Sequence, residues 1–326
     1  MQVNKQPLTG CVLTFTSVQS LTMKRITTTL LLCVFLSGVF AQDDTTLPKP
    51  ATEDTTVETP AKPAAKSYFS ANLSFLSNSV YNGRKDSATT AYITPMIGYY
   101  HKSGIFIDGS LSYLPKTGSS RIDLFNIEAG YDFDIGNFDG EISANKSFYN
   151  NSSTNVKSQI NGSIFFSGGY DFTYIKPTVE AGINFGTMSD YLFGFGLEHT
   201  FYASSDKWQF TPTFMGNGST QNYYGAYYNK RKLGVKRKNA GVIYDVTATV
   251  EDASRFKMLD YQFSLPILYI CKKFSFSCTP VYVIPVNPAI VTVQLKPENG
   301  GSTITKTSAE TISNSFYFSV GLGYKF

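Results

Sequence analysis

From Ser67 to the C-terminus, apolar and polar positions alternate with a period of two. In the last segment Phe316, Phe318, Val320, Leu322, Tyr324 and Phe326 take one set of positions; Ser315, Tyr317, Ser319, Gly321, Gly323 and Lys325 take the other. Successive strand side chains point to opposite faces, so such a segment has one large apolar face and one small or polar face. The split recurs where Phe125, Ile127, Tyr131, Phe133 and Ile135 oppose Asn126, Glu128, Gly130 and Asp132. It recurs again where Tyr191, Phe193, Phe195 and Leu197 oppose Gly194, Gly196 and Glu198. The pattern predicts about twelve strands, over 67–81, 89–101, 104–115, 121–135, 138–150, 157–172, 175–187, 190–203, 207–217, 254–271, 274–293 and 311–326. Most exceed the usual length of soluble strands and match the tilted spans of a membrane barrel.

The connections alternate as well. Lys102-Ser103, Gly136-Asn137, Thr173-Tyr174, Ser204–Asp206 and Lys272-Lys273 are tight, whereas those after odd strands run as long as 218–253 and 294–310. Short turns on one side and long loops on the other are the habit of transmembrane barrels. The predicted fold class is therefore all-β, an antiparallel up-and-down transmembrane β-barrel over 67–326.

Composition excludes the main competitors. Charged residues are 16% and aromatics 15% of the 326 residues. A soluble protein so poor in charge and rich in rings would expose adhesive surface. Past residue 41, Leu265–Cys271 is about the longest apolar run, far short of the ~18–20 residues of a membrane helix. A soluble sandwich also alternates, but its solvent face is rich in Lys, Glu and Arg. Here that face is Ser, Gly, Asn and Thr with scattered acids, which suits a hydrated lumen.

The N-terminal part reads as addressing. Met23-Lys24-Arg25 and the apolar Ile26–Phe40 lead to Val39-Phe40-Ala41, a signal-peptidase pattern that makes 23–41 a signal peptide. Residues 1–22 fit no part of that scheme and read as lying upstream of a true start at Met23. Removing Lys5, Lys24 and Arg25 takes the formal charge of +4 to near +1, so global charge predicts no nucleic-acid partner. Residues 42–66, rich in Pro, Thr, Ala and charge, bury too little surface to fold and read as a disordered periplasmic spacer. With an even strand count, both termini fall on the periplasmic side.

From Ser67 on, the chain resembles the outer-membrane β-barrels of Gram-negative bacteria. The cleavable signal and the closing strand Gly321-Leu322-Gly323-Tyr324-Lys325-Phe326 carry the resemblance. It implies a cell-outer-membrane location and recognition of the C-terminal aromatics, Tyr324 and Phe326, by the barrel-assembly machinery. Gly83-Arg84 after a first strand, with Tyr-rich hairpins following, resembles porin-like members of that class.

Chemistry is sparse. The two histidines, His101 and His199, have no Ser or acid in a register that supports a hydrolase. Cys271 and Cys278 face the same way, about four residues apart along a hairpin, too far for a bridge, so free thiols are expected. No cofactor or metal is implied. Asp108, Glu128, Asp132, Glu141, Glu180 and Glu198 are candidate lumen acids, with Lys176, Lys325, Lys146 and Arg121 as counter-charges. Asp123 shares a face with Phe125 and is expected at the exposed rim. The strongest anomaly is the loop holding Tyr223, Tyr224, Tyr227 and Tyr228, then Lys230, Arg231, Lys232, Lys236, Arg237 and Lys238. Tyrosine faces stack on sugars and Lys/Arg bind phosphate or carboxylate. Clamping of lipopolysaccharide, recruitment of an anionic solute, an inward selectivity constriction and a plain solvated loop all stay open. The functional expectation is a narrow pore or transporter for a small hydrophilic solute, not an enzyme. A non-conducting adhesive barrel, and less so a rim hydrolase acting on lipid or peptide, are the alternatives.

Overall fold

The computed structural model describes residues 66–85, 89–230, 237–239 and 242–326. The expected upstream segment 1–22, the expected signal peptide 23–41 and the expected spacer 42–66, apart from Lys66, lie outside the described residues. Twelve antiparallel strands close into a barrel. They are β1 (Tyr68–Leu76), β2 (Tyr92–Tyr100), β3 (Ile105–Leu114), β4 (Arg121–Ile135), β5 (Phe138–Tyr149) and β6 (Gly162–Tyr170). Next come β7 (Lys176–Phe185), β8 (Asp190–Glu198, continued by Phe201–Ala203), β9 (Trp208–Phe210 and Thr213–Ser219) and β10 (Lys257–Ser264 and Ile267–Cys271). The last two are β11 (Phe274–Pro285) and β12 (Ser315–Lys325). β12 pairs with both β11 and β1, and that double pairing shuts the barrel.

The alternation decides which face meets lipid. In β12, Phe316 is 63% exposed while its neighbour Ser315 is 4% exposed. Phe69, Ile107, Phe125, Tyr191, Phe193, Phe263 and Phe276 continue an exposed apolar belt around the outside. Ser70, Ser74, Ser143 and Ser319 are buried on the inner face. β9 and β10 are interrupted at Pro212 and Pro266, whose missing N–H breaks the ladder. The carbonyls of both prolines still accept, from His199 and Thr211 respectively. The hairpin β10–β11 sets Cys271 opposite Phe274 and Cys278 opposite Ile267, and both thiols are free. Cys271 is outward and exposed, so it is a small apolar side chain of the lipid face.

Three expectations are corrected by local geometry. A bulge pairs Ser112 with Leu124 but Tyr113 with Ile122, leaving Asp123 as the extra residue. The bulge turns Asp123 inward, and it is fully buried at 0% exposure. Tyr92 and Ser153 donate hydroxyls to it and Arg121 Nε donates at 2.7 Å, so Arg121 serves this rim site. Lys146 lies in the register of Ala144 and Phe148 and is exposed on the outer face, its ammonium over the Phe148 ring. The long upper strands also end early. β1 stops at Leu76, and β11 stops at Pro285, before Asn287 at φ 53 and Pro288. Beyond these breaks Arg237–Asn239, Val242–Val250, Ile290–Pro297 and Ile304–Ala309 form a separate four-stranded sheet outside the barrel.

The outward register can be checked by charge. Val320→Arg, near the middle of β12, is expected to lower unfolding free energy by ~2–4 kcal/mol in lipid vesicles, whereas Phe172→Arg at a turn costs ~0–1 kcal/mol. Denaturant titration of the refolded variants measures both, and equal costs would contradict the assigned depth.

Candidate functional site: the capped lumen

The mouth of the barrel away from Phe326 is closed by a cap whose keystone is a small hairpin. Val80–Tyr81 pairs with Arg84–Lys85 around Asn82-Gly83, both at positive φ (47° and 72°). Asn-Gly is the favoured pair for such a two-residue turn. The hairpin folds into the barrel, burying Val80, Tyr81, Asn82 and Arg84. Asn184 Nδ2 donates to the Tyr81 hydroxyl at 2.6 Å. Asn184 belongs to β7, half the circumference away from β1, so Tyr81 crosses the diameter of the lumen. At Gly83 a Cβ would lie 2.8 Å from Pro285 Cβ and 3.1 Å from the Leu259 carbonyl, so the tip is pressed against β10 and β11.

Arg84, 3% exposed, ties the hairpin to two other loops. Its Nε pairs with Glu310 at 3.1 Å, Nη2 donates to Gln221 Oε1 at 3.0 Å, and Nη1 donates to the Asn82 carbonyl at 3.1 Å. The guanidinium also lies 5.0 Å from the Tyr224 ring centroid, and Tyr224 donates its hydroxyl to the other Glu310 oxygen. A buried charge persists only with such full pairing. Burial and the neighbouring Glu310 carboxylate hold the Tyr224 hydroxyl far above its ordinary pKa, so it stays a donor.

Tyr224 belongs to the short helix α1 (Asn222–Tyr228). Asp190 at the start of β8 accepts the Asn222 and Tyr223 amides, both at 2.7 Å, and the Thr220 hydroxyl at 2.6 Å. It thereby satisfies amides that a helix start leaves without partners. Tyr223, Tyr224 and Tyr227 pack with Tyr81, Val156, Ile160, Ala248, Ala289 and Val291 in one buried cluster. Tyr81–Tyr223 and Tyr223–Tyr224 meet edge to face, an arrangement worth ~0.5–1.5 kcal/mol per pair beyond burial. Three of the four tyrosines of this loop therefore present no stacking face to an outside sugar; Tyr228 is half-buried. Lys230 is exposed. Arg231, Lys232 and Lys236 lie outside the described residues, and Arg237 and Lys238 belong to the outer four-stranded sheet.

Below the cap the lumen is acidic. Asp108 faces Glu128 directly across β3–β4, and Asp132 faces Glu141 across β4–β5. Asp108 and Glu128 are 5% and 3% exposed. Lys157, on the 3₁₀ turn Val156–Gln159, reaches down from the cap, its ammonium 5.0 Å from the Tyr81 ring centroid and within electrostatic reach of Glu128. Burial pushes its pKa down to about 8, with Glu128 acting against that shift. Towards the other end Lys176 bridges Asp139 at 2.9 Å and Glu198 at 3.2 Å, with Glu180 within reach of Glu198. There Tyr68, Tyr100 and Phe106 stack on the inner wall, with centroids 5.1 and 5.8 Å apart, and Lys325 lies over Tyr68 at 3.6 Å. The candidate lumen charges thus form two groups, Asp108, Glu128 and Asp132 in one and Lys176, Glu180 and Glu198 in the other. Lys325 stands by the aromatic stack.

Tyr324 and Phe326 close the last strand edge to face at 4.9 Å, and Phe326 is exposed. His101 lies beside Ser103 at an exposed turn, and His199 packs edge-on against Phe201. Tyr81, Arg84, Asp190 and Glu310 were not anticipated as site residues. Asn82-Gly83 between Val80-Tyr81 and Arg84-Lys85 is the one local signal that pointed to a hairpin there.

No protein-family model and no curated protein matches the chain. Among solved structures, a KdgM porin aligns at 9% identity and a TM-score of 0.41, covering 80% of this chain and 99% of its own. The same porin in complex with disordered oligogalacturonate gives a TM-score of 0.42 over the same shares. LpxR from Salmonella typhimurium aligns at 8% identity and a TM-score of 0.37, covering 79% of this chain and 100% of its own. The chain is an all-β, antiparallel, closed barrel of twelve strands. That description concerns architecture, resting on its own closed sheet and apolar belt.

If Arg84 holds the cap, Arg84→Met leaves Glu310 buried without its cation and destabilises the cap by ~3–5 kcal/mol. Hydrogen exchange of the α1 amides should accelerate accordingly, while the amides of β4 and β5 keep their protection. Unchanged exchange in α1 would show that the hairpin does not hold the helix.

Proposed function

We propose that the protein is a narrow, gated pore or transporter for a small hydrophilic solute in the bacterial outer membrane, with both chain ends on the periplasmic side. The observation that carries this reading is the hairpin lying across a polar lumen, with Tyr81 bonded to Asn184 on the opposite wall. A structural barrel needs only a filled interior. This one has a lumen of acids, Ser and Asn beneath a separate cap held by a tyrosine-rich cluster and the Arg84 contacts, the arrangement of a conduit with a closure. Selection is electrostatic and steric, through the charged lumen, and involves no covalent step. Lipid and lipopolysaccharide surround the outer belt, and the barrel-assembly machinery reads the Tyr324–Phe326 end.

The four-stranded sheet outside the barrel favours one second reading, in which the protein displays that surface to an outside partner and conducts nothing. Planar-bilayer recording separates the two. The wild type is expected to be silent or to open briefly, and deletion of residues 80–85 to give discrete steps of several-fold greater conductance. A deletion variant that refolds, retains heat-modifiable mobility and stays silent would refute the pore and leave display.

A further inference from the structure

We propose that the acidic wall of β3–β5, formed by Asp108, Glu128, Asp132 and Glu141, is a binding site for a hydrophilic solute carrying two or more ammonium or guanidinium groups. This rests on the reading of the lumen as a solute path and names the class of solute. Four carboxylates alone would be ordinary barrel lining. What singles them out is Asp108, whose Oδ2 is buried with no hydrogen-bond donor among the described residues. A carboxylate oxygen that has given up water and gained no donor is incomplete. Its electrostatic neighbours, Glu128 and Glu141, carry the same sign. Ser143 serves Glu128 and Glu141, and not Asp108.

The second indication is what already approaches the wall. Lys157 brings a primary ammonium down from the cap to the Glu128 end of the cluster and rests it on the Tyr81 ring. The chain thus places, at one edge of the site, the group the site would recognise, held by a carboxylate and an aromatic face. The wall extends well beyond that one ammonium. Glu128 and Asp132 are four residues apart on β4, about 13 Å along the strand, and each has a second acid directly opposite. Two acid pairs at that spacing suit two separated cationic groups on one elongated molecule better than a single point ion.

The test measures binding, not current, so that it stands apart from the pore reading. Spermidine is titrated calorimetrically into the refolded full-length barrel and into the 80–85 deletion variant, with propylamine and calcium chloride as separate titrants. Spermidine should bind at least one of the two proteins, at least tenfold more tightly than propylamine. Affinity should fall tenfold or more in Asp108→Asn/Glu128→Gln, whose heat-modifiable mobility reports that it still folds. Lys157→Met, which removes the resident ammonium, should bind spermidine more tightly. Absence of spermidine binding to both proteins, equal affinity in the Asn/Gln variant, or calcium binding that excludes spermidine at equal charge would overturn the proposal. Spermidine binding in a barrel that never conducts would remove the pore and leave the site.

Discussion

Hydrocarbon offers the backbone no hydrogen-bond partner, so a strand in a bilayer must be paired on both sides, and every other feature of this molecule follows from how β12 meets that demand. β12 pairs with β1 from Ser70↔Lys325 to Leu76↔Ser319 and with β11 from Phe274↔Tyr324 to Val283↔Ser315. An unpaired edge there would leave a row of amides and carbonyls in lipid, each costing several kcal/mol. Closure removes the edge and assigns each alternate residue to lipid or lumen. It also sets the width of the interior, which for a small barrel is little more than side chains can fill. A two-strand hairpin that enters such an interior therefore crosses it, and Tyr81 needs only its own side chain to reach β7.

The cap divides its stabilisation between two kinds of contact. Burial of Tyr223, Tyr224 and Tyr227 supplies the non-directional part and tolerates small shifts in position. Arg84, Glu310, Asp190 and Asn229 supply direction: Asn229 donates to and accepts from Ala248, locking the end of α1 to the outer sheet. A buried ion pair such as Arg84–Glu310 gives little net stability over a well-packed apolar pair, but it is costly to break from one side. The base of the hairpin is fastened separately, by Ser77 exchanging bonds with Phe318, so the hairpin has a fixed root in the barrel wall.

What could be read from the sequence divides along the same line. Period-two alternation is a local property, so the barrel, its outer belt and the facing of Cys271 and Cys278 were legible, down to the partners of both cysteines. Asp123 and Lys146 show two ways in which lumen assignments failed. At Asp123 one extra residue in β4 reversed the facing of everything before it, and no local composition marks a bulge. At Lys146 the charge suggested the lumen, whereas the period set by Ile142, Ala144 and Phe148 already placed it outside. The cap was illegible for a different reason. Its contacts join residues far apart in the chain, Arg84 with Glu310 and Tyr81 with Asn184, and the tyrosines near Tyr223 read equally well as a binding face or as a core. Burial among other loops decided between these, and loop packing leaves no period in the sequence.

The lumen is layered by charge along its axis. At the cap end Arg84 is paired with Glu310 and Lys157 stands near Glu128; Asp108, Asp132 and Glu141 occupy the middle; at the other end Lys176 bridges Asp139 and Glu198, with Lys325 beside Tyr68. In a narrow interior walled by lipid-embedded protein, charges act over longer distances than in water. A run of carboxylates alone would hold a cation too firmly to release it, and passage requires binding strong enough to enter and weak enough to leave. Cations at both ends supply the opposing force. Lys176 partly neutralises Asp139 and Glu198 at one end, and Lys157 competes for Glu128 at the cap end. If the lumen is the solute path proposed above, the well for a positive solute is thereby confined to Asp108, Glu128, Asp132 and Glu141, and is deepest at Asp108 Oδ2, which has no hydrogen-bond donor among the described residues.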